Sequence, residues 1–209
     1  AYISGICTVH FFSTPVKTGI STLSSHDLDP FLNDPDPDPA NIGLKNRIKQ
    51  YLHDYCSLNT YEIAIPALRD PSLAPEGKTG LIISLLFDYR LIRKIDEFGW
   101  SGECKELLEE DFVRVLDESI FPGIKEKVTD RFSSSPLTIE RLTGNTDGGI
   151  TGWAFTNPSM PVTSKLLSIA RSVNTILPLV YQAGQWVYSP AGFPISILTG
   201  KLAADKVLK

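Results

Sequence analysis

Little in this chain can carry nucleophile or metal chemistry. It has three cysteines, Cys7, Cys56 and Cys104, lying far apart with no Cys-x-x-Cys pair. That odd, scattered set gives no metal site and no disulfide framework, and it fits a reducing compartment. The three histidines, His10, His26 and His53, share no spacing with a paired carboxylate or cysteine, so each reads as structural or exposed. No serine sits in a nucleophile-elbow pattern. No apolar run approaches the length of a membrane span. The net charge is −4, with no basic footprint, which argues against nucleic acid as a partner. The first residues lack a basic region and a cleavage pattern, so no secretory signal is read there and a cytoplasmic location is expected. There is no internal repeat. A Gly-x-Gly-x-x-Gly turn after a strand, the usual seat for a dinucleotide pyrophosphate, is also missing. Gly77-Lys78-Thr79 looks like the end of a phosphate loop, but the glycine required five positions earlier is Ser72. The prolines of Asp34-Pro-Asp-Pro-Asp-Pro39 alternate with aspartates. A calcium loop fails there, because its sixth position would be Pro39 and its twelfth Lys45, so the stretch reads as a solvated loop.

What is present is an ordinary core-forming composition, 42% hydrophobic and 21% charged over 209 residues, enough for a sizeable core. Tyr2 to Phe12 and Val16 to Leu23 read as strands. Asn41 to Ser57 reads as a helix with Leu44, Ile48, Leu52 and Tyr55 on one side. Tyr61 to Ile65 alternates like a strand, and Gly80 to Phe87 is an apolar run expected to pair back across the intervening turn as a fully buried strand. Glu103 to Ser119 is an amphipathic helix. A short helix is expected from Pro122 through Val128, a strand from Leu137 to Leu142, and a helix from Pro161 to Val173. Arg69 and Asp70 flank the Pro-rich turn and invite a local ion pair.

The closing stretch, Tyr181-Gln-Ala-Gly-Gln-Trp-Val-Tyr-Ser-Pro-Ala-Gly-Phe-Pro-Ile-Ser-Ile-Leu-Thr-Gly-Lys-Leu-Ala-Ala-Asp205, is the most informative. The apolar run Ile176 to Tyr181 reads as a buried strand. A loop with Gly184, Pro190 and Gly192 follows, and Pro194 then suits the first turn of a helix. Ile195, Leu198 and Leu202 make that helix apolar on one side, and Thr199, Gly200, Ala203 and Ala204 supply small residues. Strand, Gly-rich turn and helix leave free N–H groups facing the turn, a seat for an anionic or electron-rich ligand.

This stretch resembles the C-terminal flavin-binding signature of the phytoene desaturase and carotenoid isomerase family of FAD-dependent oxidoreductases, which is related to the flavin amine oxidases. Two further segments look like that family's motifs and stand in its order: Pro66-Ala-Leu-Arg-Asp-Pro-Ser-Leu-Ala-Pro-Glu-Gly77, and Pro136-Leu-Thr-Ile-Glu-Arg-Leu-Thr-Gly-Asn-Thr-Asp-Gly-Gly-Ile-Thr-Gly152. The resemblance implies FAD as cofactor of a longer polypeptide, whose N-terminal FAD-binding portion would be a partner of this chain. It implies an apolar, polyene or isoprenoid-like substrate, and hydride removal, saturation or isomerisation as the reaction. It places Gly148, Gly149, Gly152 and Trp153 near the flavin, together with Gly184, Gln185, Trp186, Gly192, Pro194 and Ile195; from the residues alone, Gly144 to Gly149 is equally a polar turn and Trp186 equally core. Related FAD enzymes carry Gly-Asp where this chain has Gly184-Gln185, though a glutamine still donates and accepts hydrogen bonds. The helix N-terminus would face the pyrimidine end of the ring, where reduction places negative charge. No catalytic residue and no metal ligand is assigned.

The expected architecture is α+β: a mixed or antiparallel sheet with packed helices as a substrate-binding portion over residues 1–145, then the closing strand–turn–helix of an α/β FAD-binding domain over 146–209. The apolar runs at 2–12 and 80–87 would line a substrate tunnel or serve as plain core. Peripheral membrane contact is compatible with a lipid-soluble substrate. The enzymatic alternative is an amine-oxidising flavoenzyme. The non-enzymatic one is an apolar-ligand binding or interaction module.

Overall fold

A computed structural model of the chain describes residues 9–13, 32–33, 42–150, 152–153, 162–189 and 192–208. The fold is α+β, and the chain divides into two compact units, Ala1–Leu137 and Thr138–Lys209.

The first unit is built on an antiparallel sheet in the order β1 (Val9–Ser13), β2 (Thr60–Ala64), β3 (Ile82–Ser84). Val9 to Ser13 pairs with Ala64 back to Thr60, and Ile82 to Ser84 with Ala64 back to Glu62. The period of two along β2 decides its two faces: Tyr61 and Ile63 are fully buried while Thr60 and Glu62 point outward. Helix α1 (Ile42–Ser57) forms because Leu44, Ile48, Leu52 and Tyr55 recur every three or four residues, and all four are buried. Helix α3 (Ser101–Asp117) buries Leu108, Val115 and Leu116, as its spacing predicts, and also Cys104 and Asp111, while Leu107 and Phe112, expected inside, are half-buried. Leu44, Ile48 and Leu52 of α1 and Cys104, Leu108, Val115 and Leu116 of α3 form one hydrophobic cluster with Tyr61 and Ile63 of β2 and with Leu91, Ile92 and Ile95.

Those last three belong to helix α2 (Tyr89–Glu97), an element absent from the sequence expectations. Its signals are local. The Asp88 carboxylate accepts from the N–H groups of Arg90 and Leu91, as an N-cap should. At the other end Gly99 takes φ 71°. There Trp100 N–H donates to Ile95 O at 3.0 Å and Gly99 N–H to Asp96 O at 2.8 Å, the paired bonds of a Schellman cap. The cap turns the chain so that Trp100 enters the core beside Phe98, with ring centroids 5.0 Å apart. Gly99→Ala puts a Cβ on a left-handed residue. We expect it to lower stability by about 1 kcal/mol, read as the shift of a urea unfolding midpoint, with no further loss for Gly99→Asn relative to alanine.

Several expected elements take another form. Gly80 to Phe87 is not a fully buried strand: only Ile82–Ser84 pairs, and Ile82 and Leu86 are exposed. Among the described residues it is an edge strand, with β2 as its one neighbour. Leu137 to Leu142 is not a strand but lies within helix α4 (Pro136–Thr143). Leu137 and Ile139 fit alternation, yet Pro136 suits a first helical turn and the Thr143 hydroxyl bonds back to Ile139 O at 2.9 Å. From Pro122 to Val128 only Lys125–Lys127 forms a helical turn, of the 3₁₀ type. From Pro161 to Val173 a 3₁₀ turn at Leu166–Ser168 leads into the short helix α5 (Ile169–Ser172), and Thr163 instead bridges Tyr188. Ile176 to Tyr181 is not a buried strand: Tyr181 makes an isolated bridge to Asn174, and the apolar residues before it are exposed. The expected strand at 16–23 and the Asp-Pro loop at 34–39 lie outside the described residues.

In the second unit the closing helix α6 (Phe193–Val207) starts where Pro194 suits the first turn. Val173, Val187 and Tyr188 are its fully buried apolar side chains among the described residues.

Candidate cofactor-facing site

The N-terminus of α6 opens on Gly192, whose φ of 139° is a conformation that side chains disfavour. No side chain caps this end. The first-turn N–H groups, which no carbonyl of the helix can reach, therefore face outward with the positive end of the helix dipole. One turn on, Thr199 is fully buried and acts as a pin. Its hydroxyl donates to Ile195 O at 2.9 Å and accepts from Gly184 N–H at 3.1 Å. The small residue noted in the sequence thus fastens the Gly184-Gln185-Trp186 turn to α6.

Trp186 joins the remaining predicted residues. Its ring meets Trp153 edge to face, with centroids 5.4 Å apart and planes at 83°. Trp153 Nε1 donates to Trp186 O at 2.9 Å, and Ser189 Oγ donates to Trp153 O at 3.3 Å. Asp147 takes φ 55° in the turn Thr146–Gly148, where Gly148 is buried. Asn145 Nδ2 closes this turn on Gly149 O at 2.9 Å. A Cβ at Gly149 would lie 3.3 Å from the Trp186 ring, so that glycine makes room for tryptophan. At Gly184 a Cβ would meet nothing within 4 Å, and at Gly192 only the Pro194 ring edge at 4.0 Å. The predicted residues thus share one unit but divide in two. Gly148, Gly149, Gly152, Trp153 and Trp186 form a closed aromatic knot. Gly184, Gly192, Pro194 and Ile195 border open space and outward N–H groups, and Gln185 lies half-buried between the two sets. The second set presents the backbone N–H groups at the start of α6 with no Cβ blocking the approach, an arrangement suited to an anionic or electron-rich group.

A different cluster lies in the first unit, where the sequence showed only scattered histidines. His53 Nδ1 on α1 stands 3.0 and 3.1 Å from the two oxygens of Asp111 on α3. Arg114 Nε donates to the same carboxylate at 2.9 Å, and its other nitrogens reach Ser57 Oγ at 3.0 Å and Glu118 at 3.1 Å. The pairing escapes sequence reasoning because His53 and Asp111 are 58 residues apart. Asp111 and Arg114 also border a cleft of about 710 Å³ with Lys125, Asp130 and Arg131, of mixed charge. Burial pushes the Cys56 thiol up, and the Cys104 thiol up to about 11, so neither is an activated nucleophile. Asp70 does not pair with Arg69 in the way the sequence invited. Its carboxylate accepts from Ser72 Oγ and N–H, and these bonds hold its pKa below the usual carboxylate range. Among the described residues no cluster of three His, Cys, Asp or Glu could hold a metal, and no helix is long and apolar enough to cross a membrane.

No family model matches the chain. The class of protein to which its sequence is similar is that of the desaturases. The particular relatives are 4,4'-diapophytoene desaturases (4,4'-diaponeurosporene-forming) of Staphylococcus aureus, among them those of strains Newman, USA300 and COL. Each is 25% identical over 153 residues, which make up 70% of this chain and 28% of the relative. The chain thus matches little more than a quarter of the length of these curated relatives.

Proposed function

We propose that this chain is the C-terminal part of a phytoene desaturase-like, FAD-dependent oxidoreductase acting on an apolar polyene or isoprenoid-like substrate. The observation that carries this reading is the distant similarity to 4,4'-diapophytoene desaturases across 70% of the chain. The geometry agrees with it. The uncapped start of α6 offers N–H donors, and Gly184 and Gly192 leave open space beside it, as the polar edge of a flavin requires. When bound, the flavin supplies the redox chemistry. The residues of this chain would orient it, with Thr199 holding Gly184 in place and the Trp153–Trp186 knot keeping the turn rigid. The reaction is one of desaturation, saturation or isomerisation, in the cytoplasm or at a membrane face. The FAD-binding portion that supplies the pyrophosphate seat is the partner this chain requires.

The test is an absorbance spectrum of the protein encoded by the whole reading frame. Twin near-ultraviolet and blue flavin bands that bleach with dithionite are expected. Their absence after reconstitution with FAD overturns the reading and favours an apolar-ligand module. Lacking a pyrophosphate seat, the 209-residue chain alone is expected to bind FAD weakly, with a Kd above about 0.1 mM by fluorescence titration. Flavin that copurifies with this chain would contradict that.

A further inference from the structure

Among the described residues the one neighbour of β3 is β2, so the other side of β3 turns unpaired backbone N–H and C=O groups outward. Only Ile82–Ser84 pairs with β2, yet burial alternates strictly from Leu81 to Phe87. Leu81, Ile83, Leu85 and Phe87 pack against the hydrophobic cluster, and Ile82, Ser84 and Leu86 are exposed. The run therefore keeps the side-chain period of a strand well past its paired part. Sheet edges are ordinarily guarded by a charge, a proline or a bulge. From Thr79 to Phe87 this edge has no charged residue and no proline, and Ile82 is 56% and Leu86 80% exposed. The charges stand at its two ends. Lys78, before the run, is exposed. Asp88, after it, is still extended, with φ −71° and ψ 118°. Asp88 Oδ1 caps α2, while Oδ2 has Arg90 at 3.6 Å and stays open to a further cation. Continued alternation puts Lys78 and Asp88 on the same outward side as Ile82 and Leu86.

We propose that β3 pairs antiparallel with β3 of a second copy of this chain, about a two-fold axis through Ile83. Charge complementarity picks this partner and this register. With the axis at Ile83, Lys78 stands opposite Asp88 of the second copy, and the symmetry repeats the pair at the other end. Leu86 stands opposite Gly80, where an added Cβ would meet nothing within 4 Å, and reaches Ile82 of the second copy on the diagonal. An axis one residue earlier, at Ile82, sets Asp88 against Glu76, two like charges. An axis one residue later, at Ser84, sets Asp88 against Gly80 and leaves it without a cation. Strand addition satisfies the open backbone groups of both edges and joins two sheets into one. The contact is isologous, so it closes at a dimer. The seam is short, and the expected Kd is about 10 µM. The inference stands whether or not the chain serves a flavoenzyme.

Sedimentation equilibrium of the protein encoded by the whole reading frame tests it, from about 1 µM to about 0.2 mM. A monomer–dimer equilibrium is expected. Ile82→Lys sets two charges on the seam and is expected to leave a monomer throughout that range. Its circular dichroism and its Tm at low concentration should match the parent, because Ile82 lies outside the core. Lys78→Glu puts like charges opposite each other at both ends and is expected to raise Kd about tenfold. A monomer at the highest concentration overturns the proposal. So does a dimer that both variants leave intact, since it forms through another face. A dimer lost with Ile82→Lys but indifferent to Lys78→Glu overturns the register about Ile83. Hydrogen exchange separates the other occupants. Amides between Leu81 and Phe87 should gain protection as the concentration rises. Full protection already at the lowest concentration means that the same polypeptide covers the edge. Protection gained only with phosphatidylcholine–phosphatidylglycerol vesicles means a membrane contact. Either result overturns the second copy as the partner.

Discussion

Tyr61→Ala is expected to lower the stability of the first unit by about 4 kcal/mol, enough to leave many domains of this size substantially unfolded. Three losses combine. Tyr61 is fully buried at the centre of the three-stranded sheet, so truncation leaves a ring-sized cavity. Its ring meets Phe112 of α3 edge to face, with centroids 5.8 Å apart and planes at 90°. Its hydroxyl donates to Cys56 O at the end of α1, at 2.6 Å. One side chain therefore ties the sheet to both long helices. Tyr61→Phe keeps the packing and strips only the hydroxyl, leaving a buried carbonyl without that donor, for a loss of about 1 kcal/mol. Urea unfolding followed by far-ultraviolet circular dichroism separates the two. Equal effects from both variants would mean that the hydroxyl, not the ring, does the holding. The phenol stays neutral in this site, because burial pushes its pKa well above the ordinary tyrosine range.

The second large effect is expected at Asp111. Its side chain is only 10% exposed, yet it accepts from Arg114 and lies against His53. Asp111→Ala leaves Arg114 with Ser57 and Glu118, so its charge is not stranded, and the expected loss is about 2 kcal/mol and not the larger penalty of an unpaired buried ion. Arg114→Leu should cost less, since Arg114 is about one-third exposed and Asp111 keeps His53. Because the two touch, the double variant should lose less than the sum of the single ones, with a coupling near 1 kcal/mol. Strict additivity would show that the Asp111–Arg114 pair within α3 adds nothing of its own to stability.

How much of this was legible in sequence depended on how local the signal was. Helices α1, α3 and α6 announced themselves through apolar spacing or a first-turn proline, and the structure places both ends of α1 and α3, and the start of α6, within two residues of expectation. Helix α2 was equally local, with Asp88 before it and Gly99 after it, and went unread because nine residues offer only three buried positions. Leu137 to Leu142 misled because Leu137 and Ile139 alternate like a strand, while Leu142 stands three residues after Ile139 at helical spacing, and so short a stretch fits either period. Ile176 to Val180 failed for a deeper reason. A strand needs a neighbour, and among the described residues none lies beside it, whatever the sequence of the run prefers. In the candidate site, the glycines and Pro194 were visible as turn and helix-start chemistry. The Thr199–Gly184 bond and the stacking of Gly149 under Trp186 were not, since each joins residues 15 or more positions apart. The His53–Asp111 pair was invisible on the same grounds.

The edge-to-face tryptophans also give the chain an optical handle. Two indoles 5.4 Å apart couple their transitions, so the pair should imprint a signed doublet on the circular dichroism near 225 nm where single tryptophans give weak bands. Indole emission falls where oxidised flavin absorbs. A flavin seated at Gly184 and the start of α6 would therefore drain the excitation of Trp186 by resonance transfer, and the protein would report the arrival of its cofactor in its own colour.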